Sequence, residues 1–231
     1  MPTIKIRKRS LIIIIVLFIG ILFRGPIHAQ VYEPGKIKMF WKDKSGRPYY
    51  TFAALRKDHP ELQFIMNAGM YDKLQSAPPL GLFIENKKQL RPLRIVVNKG
   101  SNYGTPPSGV FYIAGSRAYV VVAHKGDRFP NAHFATQSGP MLLIEGKINK
   151  NLPKGNLIMR NGVGIRNDGK VVFGCFRSNF IDFAAWFKDQ GCRNALFLDG
   201  GISDYWKPLS PFGVNSTLLN IQYGPMIGVE K

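Results

Sequence analysis

The chain has 231 residues, with 32 Lys and Arg against 14 Asp and Glu, and a formal net charge of +18. Such an excess favours an anionic partner, either a membrane surface or a phosphorylated substrate. The basic residues are scattered, with no run of five and no recognition helix, which argues against nucleic acid. The two cysteines have no CxxC spacing, which excludes that type of zinc site.

The first 29 residues read as a signal peptide. Lys5, Arg7, Lys8 and Arg9 form a positive start, residues 11–23 are an unbroken apolar run of 13, and Ile27-His28-Ala29 resembles a cleavage site. The run is short of the about 20 residues that span a bilayer. Arg24 and the large Ile27 make the cleavage site imperfect, so an uncleaved N-terminal membrane anchor is the alternative. Both readings export the rest of the chain to the periplasm or the outside. The leader takes five basic residues with it, leaving about +13 on residues 30–231. Without repeats or low-complexity linkers, those 202 residues are expected to form one domain.

Strands are expected at 62–66, 82–85, 110–114, 118–123 and 141–145. Residues 163–166 and 170–176 flank Asn167-Asp168-Gly169, a hairpin signal. A helix fits 181–190, with Gly191 as its stop. Phe180, Phe183, Ala184 and Phe187 fall on one face of it and read as core. Residues 195–198 form a last strand. The expected architecture is α+β: a single sheet-rich mixed domain with few helices and one βαβ-like unit (about 170–198) opening on the site. Cys175 is expected in a strand and Cys192 just after the helix. Export permits a disulfide, and two buried free thiols are the alternative.

The segment Ala195-Leu196-Phe197-Leu198-Asp199-Gly200-Gly201-Ile202-Ser203 is the most informative. An apolar strand stops at a carboxylate, and two glycines would let a ligand approach the backbone. Sheets with βαβ units place ligands at such strand ends. The other reading of Asp199 is a turn residue that caps a following helix. No Gly-x-Ser-x-Gly elbow and no HExxH occur among His59, His124, His133 and their neighbours. Gly164 to Lys170 mimics a phosphate-binding loop but is followed by Val171, not Ser or Thr, and straddles the hairpin. What remains is a set of polar turns after apolar runs: Asn67-Ala68-Gly69-Met70, Gln137-Ser138-Gly139-Pro140, Arg160-Asn161-Gly162 and Asp199-Gly200-Gly201. They supply amides for sugar hydroxyls, a guanidinium for phosphate and a carboxylate for an anomeric carbon.

These motifs, with Gly109-Val110-Phe111-Tyr112, Met141-Leu142, Val163-Gly164 and Gly191 to Gly201, resemble the phosphodiester glycosidase family over about residues 64–205. The short exported bacterial branch is the nearest likeness. The resemblance implies a cavity lined by the motifs. It also implies cleavage of a sugar-1-phosphodiester to free sugar and a phosphomonoester. Asp199 and Arg160 would then be catalytic. Asn67, Gln137, Ser138, Gly139, Asn161, Gly200, Gly201 and Ser203 would bind substrate. Many relatives have a third glycine and paired serines after the Asp; Ile202, Ser203 and Asp204 stand here instead, and Ile202 would narrow the cavity and alter the sugar preference. No cofactor is required, although Asp72, Asp199 and Asp204 leave room for a divalent cation. The partner is a small or polymeric sugar phosphodiester, with no protein partner implied. A phosphodiesterase cutting the P–O bond and a non-catalytic binder of anionic glycans are the competing readings.

Overall fold

The computed structural model describes residues 29–72, 76–98, 101–199, 202–208 and 221–231. Gly200 and Gly201 lie outside them, as does the leader up to residue 28. Three antiparallel sheets pack around a shared apolar core. The six-stranded sheet runs in the order β1 (Gln30–Tyr32), β12 (Val171–Ser178), β11 (Ile158–Arg166), β13 (Cys192–Phe197), β9 (Met141–Ile144), β10 (Lys147–Ile148). The four-stranded sheet runs β14 (Tyr205–Trp206), β3 (Leu62–Asn67), β15 (Met226–Glu230), β2 (Ile37–Phe40). The five-stranded sheet runs β5 (Lys88–Arg91), β4 (Phe83–Glu85), β8 (Phe134–Ser138), β6 (Gly109–Ala114), β7 (Arg117–Val122). Among the described residues there are two α-helices, α1 (Phe52–Asp58) and α2 (Phe180–Asp189). The sheet-rich α+β class expected from the sequence is what the structure shows.

Alternation along the strands builds the core. Val163 lies opposite Phe173 on one side and Leu196 on the other. All three sides of the core meet there: Val163, Phe173 and Leu196 join Phe64, Met66 and Ile227 from the second sheet and Phe83, Phe111 and Val120 from the third. The opposite face of the six-stranded sheet is covered by α2. Its Phe180, Phe183, Ala184 and Phe187 are buried against Leu143, Val172, Ala195 and Phe197. Asn179 caps this helix: its side chain accepts from Asp182 N at 2.8 Å and donates to the Asp182 carboxylate at 2.7 Å. That reciprocal pair satisfies one of the first-turn N–H groups that a helix leaves open.

The βαβ-like unit is present as β12, α2 and β13, with one elaboration. Because β11 pairs antiparallel with both β12 and β13, it is interposed between two parallel strands. The hairpin closes through Gly169 N to Arg166 O at 2.9 Å, and Gly169 and Gly191 both have positive φ, at +84° and +77°. The structure corrects two local expectations. Gln137 and Ser138 belong to strand β8 and not to a turn. Arg160-Asn161-Gly162 is not a turn either, because β11 begins at Ile158 and runs through it. A polar residue in a strand that is covered on both faces looks like a chain break to any reading by apolar runs. Cys175 and Cys192 are both free thiols, set toward opposite ends of the sheet opposite Asn161 and Arg166.

Gly162 is one of the tight points in this packing. A Cβ there would lie 2.9 Å from Leu196 O, 3.0 Å from Phe183 and 3.1 Å from Phe187. Gly162→Ala must push the helix off the sheet, an overpacking that costs about 1–3 kcal/mol. The expected outcome is a Tm lowered by several degrees in thermal unfolding, at roughly 2–4 °C per kcal/mol for a chain of this size. An unchanged Tm would contradict this account of the helix–sheet contact.

Candidate functional site

The site begins where two sheets meet. Asn67 ends β3, and Asn161 sits in the middle of β11; both are almost fully buried. Asn161 Nδ2 donates to Asn67 O at 2.7 Å and to Asn67 Oδ1 at 3.0 Å. Asn67 Oδ1 also accepts from Asp204 N at 3.0 Å. Two donors on one atom fix the amide orientation, so the opposite atom is the nitrogen. That nitrogen, Asn67 Nδ2, is one of two buried side-chain nitrogens without a hydrogen-bond partner among the described residues. The other is Arg160 Nη1.

Asn161 also fixes the chain where it leaves the sheet. Leu198 N donates to Asn161 O at 3.1 Å, and Asp199 N donates to Asn161 Oδ1 at 2.8 Å. The same Oδ1 accepts from Ser203 Oγ at 3.3 Å, and Ser203 Oγ donates to Asp199 O as well. One neutral side chain therefore holds both sides of the segment that carries Asp199. Ser138, at the end of β8, adds a hydroxyl bond to Leu198 O.

Behind the pair lies Asp204. Burial raises its carboxyl pKa from 3.8 to about 6, against the lowering effect of bonds from Tyr223 Oη and Tyr205 N, both 2.8 Å. Burial, and then the charge on Asp204, also raises the pKa of the Cys175 thiol.

Asp199 opens into a cleft of about 390 Å³ lined by Met70, Leu80, Arg94, Val96, Ser101, Asn102, Tyr103 and Asp199 itself. An acidic and a basic residue thus line one space. The Asp199 charge reaches Tyr71, whose phenol pKa is raised first by burial and then by that charge. On the other wall, burial pushes the Tyr103 phenol up to about 12, with Arg94 opposing the shift.

Arg94 is the residue that motif reasoning missed. It lies in an extended stretch, residues 92–98, that belongs to no strand. Gln137 holds it there. Gln137 Oε1 accepts from Leu82 N at 2.9 Å and from Arg94 N at 3.0 Å, while Nε2 donates to Arg94 O at 2.5 Å and to Ser108 Oγ at 3.4 Å. All four hydrogen-bonding positions of the amide are used inside the protein. The signal available in the sequence was one charge inside Leu93-Arg94-Ile95-Val96-Val97, a run where an apolar strand would carry none.

The structure brings together Asn67, Asn161, Ser203 and the Asp199 backbone. Gln137, Ser138 and Gly139 form the wall beside them; a Cβ on Gly139 would come 3.3 Å from Ser108 Cα and from Tyr103 O. Arg160 is elsewhere. Its side chain leaves β11 on the face opposite to Asn161, under α2. Its guanidinium lies 3.7 Å above the Phe180 ring, donating from Nε to Ser178 O at 2.8 Å and from Nη2 to Asn156 O at 3.1 Å. It is 1% exposed and does not line the cleft. Gly200 and Gly201 lie outside the described residues. Among the described residues no three His, Cys, Asp or Glu side chains form a group that could hold a metal ion.

The raised Asp204 pKa gives a signed pH effect. With a folded value of about 6 against 3.8, its stabilising protonation is fully present below pH 3.8 and is lost as pH rises through 6. Asp204→Asn is already neutral. The stability of the native chain relative to this variant should fall between pH 4 and pH 6 and stay level above it, as read by urea unfolding at a series of pH values. A difference that is flat over that window, or that grows with pH, would contradict the assignment.

Comparison with known proteins fits this geometry. The profile of the phosphodiester glycosidase family matches residues 60–207. The chain is 38% identical over 176 residues to the uncharacterized protein YigE of Escherichia coli K12, covering 73% of this chain and 68% of that one. In fold it is similar to the catalytic domain of zebrafish N-acetylglucosamine-1-phosphodiester alpha-N-acetylglucosaminidase, auto-inhibited by its pro-peptide. The TM-score is 0.63 at 13% identity, over 90% of this chain and 85% of that one. A Burkholderia pseudomallei protein described as exported has the same fold at TM-score 0.55 and 11% identity, over 87% of this chain and 73% of that one. The chain belongs to the phosphodiester glycosidase family.

Proposed function

We propose that this chain is an exported hydrolase that cleaves a sugar from a sugar-1-phosphodiester, releasing free sugar and a phosphomonoester. The observation that carries the reading is the pairing of Arg94 and Asp199 along one cleft in a chain of this family. A guanidinium binds a phosphate through two parallel charge-assisted hydrogen bonds. The phosphate role expected for Arg160 is therefore assigned to Arg94, which lines the cleft. The buried Arg160 guanidinium instead props residue 156 and the start of α2.

The leaving group is a phosphomonoester, which departs with little protonation. Demand falls on the anomeric carbon, where positive charge develops. Asp199 is the carboxylate among the lining residues, and its role is to take the proton of the attacking water and to face that charge. Asn161 and Asn67 are positioning residues for Asp199. Residues 30–231 would carry this activity as one domain, with the sugar phosphodiester as partner and no cofactor. The leader, basic start and apolar run motivate export, and the exported Burkholderia protein of the same fold is in keeping with it.

Hydrolysis of a glycosyl phosphodiester in ¹⁸O-labelled water should place the label on the sugar. Label in the phosphate would overturn the reading in favour of P–O cleavage. Asp199→Asn should fold normally and lose about 10²–10⁴-fold in kcat. Arg94→Ala should raise KM, losing about 1.5–3 kcal/mol of binding, and Arg94→Lys should restore only part of it. Normal kinetics in Asp199→Asn and Arg94→Ala would remove both residues from the chemistry.

A further inference from the structure

Among the described residues, six large apolar side chains are well exposed: Ile95, Val96, Val97, Leu157, Ile158 and Ile181, at 43, 36, 70, 62, 40 and 41%. They are not spread over the molecule. Val96 lines the cleft beside Arg94, and Ile95 and Val97 flank it in the chain. The other three sit at the end of the six-stranded sheet where Asp199 emerges. Phe197 pairs with Gly162, so the same register carried two residues on sets Asp199 level with Arg160. Ile158, where β11 starts, is two residues further, about 7 Å along a strand. Leu157 precedes it, Ser178 lies opposite it, and Ile181 follows Ser178 by three residues.

The N-terminus arrives at this same end. Gln30 pairs with Phe173 and Tyr32 with Val171, so the chain before Gln30 points toward Ser178. In the sequence the apolar run 11–23 ends six residues before Ala29. Two basic side chains at this end, Lys154 and Arg177, are exposed, and the chain beyond the leader carries about +13. Exposed aliphatic side chains with basic neighbours, together with the hydrophobic tether that the leader supplies where it stays as the uncleaved anchor, fit an anionic lipid surface. A binding patch for a second protein would not call for the tether.

We propose that this end of the molecule rests on an anionic lipid surface, with Val97 and Leu157 reaching into the interface. We further propose that the cleft takes a glycosyl phosphodiester whose alcohol half is a lipid. The second statement rests on the function proposed above. In that reaction the oxygen of water joins the anomeric carbon, the bond from that carbon to the phosphate oxygen breaks, and the electron pair leaves with the lipid phosphate. The proton released by the water is carried away through Asp199. A cleft facing the membrane receives a head group lying in the interface without lifting its lipid chain into water.

The test uses the full chain reconstituted into phosphatidylglycerol–phosphatidylcholine vesicles, with and without lipids brominated on the acyl chain. Val97→Trp and Leu157→Trp should each lose fluorescence in the brominated vesicles, beyond the loss from the native Trp41, Trp186 and Trp206. Asn167→Trp, in the hairpin at the opposite end of β11, should lose none. Equal quenching at all three positions, or none at any, overturns the docking. So does a dimer in detergent that shields Val97 and Leu157. In the same vesicles, kcat/KM should favour a lipid-linked glycosyl phosphodiester over its methyl counterpart. The double variant Val97→Ser, Leu157→Ser should lower the lipid-linked value at least about tenfold, as expected for two aliphatic side chains lost from the interface, and leave the methyl substrate unchanged. Equal use of both substrates by the native chain overturns the lipid assignment and leaves the glycosidase reading intact. Cleavage of neither substrate, with quenching as expected, upholds the docking and overturns the glycosidase reading together with the lipid substrate that rests on it.

Discussion

Two buried asparagine side chains hold the candidate site together. Asn67 belongs to the four-stranded sheet and Asn161 to the six-stranded sheet, so their hydrogen bonds join elements 94 residues apart. An amide both donates and accepts, which is why one residue type can serve each end of the contact. Asn161 spends its two donor bonds on Asn67 and its acceptor on Asp199 N and Ser203 Oγ. Losing it would remove the Oδ1 bond to Asp199 N and both Nδ2 bonds to Asn67, at about 1–3 kcal/mol for each buried group left unsatisfied. The same loss would free the segment that carries the carboxylate. Stability and the placement of Asp199 thus depend on one contact.

A second amide does comparable work on the other wall. Gln137 lies in the five-stranded sheet and binds both the N–H and the carbonyl of Arg94, 43 residues away. That pairing replaces the strand ladder that residues 92–98 lack. The cleft is therefore bounded by two irregular segments, each pinned by a buried amide that projects from a regular strand. Loops that carry function on a rigid sheet are a common solution, because the sheet supplies precision and the loop supplies approach.

This arrangement explains what could and could not be read from the sequence. The hairpin at Asn167-Asp168-Gly169, the helix with its four-residue apolar face and the strand ending before Asp199 were legible, since each depends on neighbours within a few residues. Asn67, Asn161 and Ser203 stood out because polar residues interrupt apolar runs there. The same cue misplaced Arg160. A residue one position from Asn161 on a strand must point to the opposite face, and that alternation is invisible until the strand itself is recognised. Arg94 was hidden for the converse reason. Its immediate neighbours in sequence do not fix its position, which is set by Gln137, 43 residues away, with a further bond from Tyr103 Oη to Arg94 O at 3.4 Å. β1, β2 and β15 were likewise not legible as strands, being short and completed only by partners elsewhere.

The placement of charge follows a physical order. The ionic residues of the cleft, Arg94 and Asp199, stand on its walls. The groups directly behind Asp199 are neutral amides and a hydroxyl. A second full charge there would be costly to bury and would compete with the substrate for the field of the first. Asp204 shows the cost: with two hydrogen bonds supporting its charged form, burial still lifts its pKa to about 6. Had Asn67 or Asn161 been Asp, a second buried charge would sit beside Asp204 and add to the cost of burial there. Neutral dipoles avoid that cost. They orient the backbone of Asp199 without setting the charge that its side chain presents to the cleft.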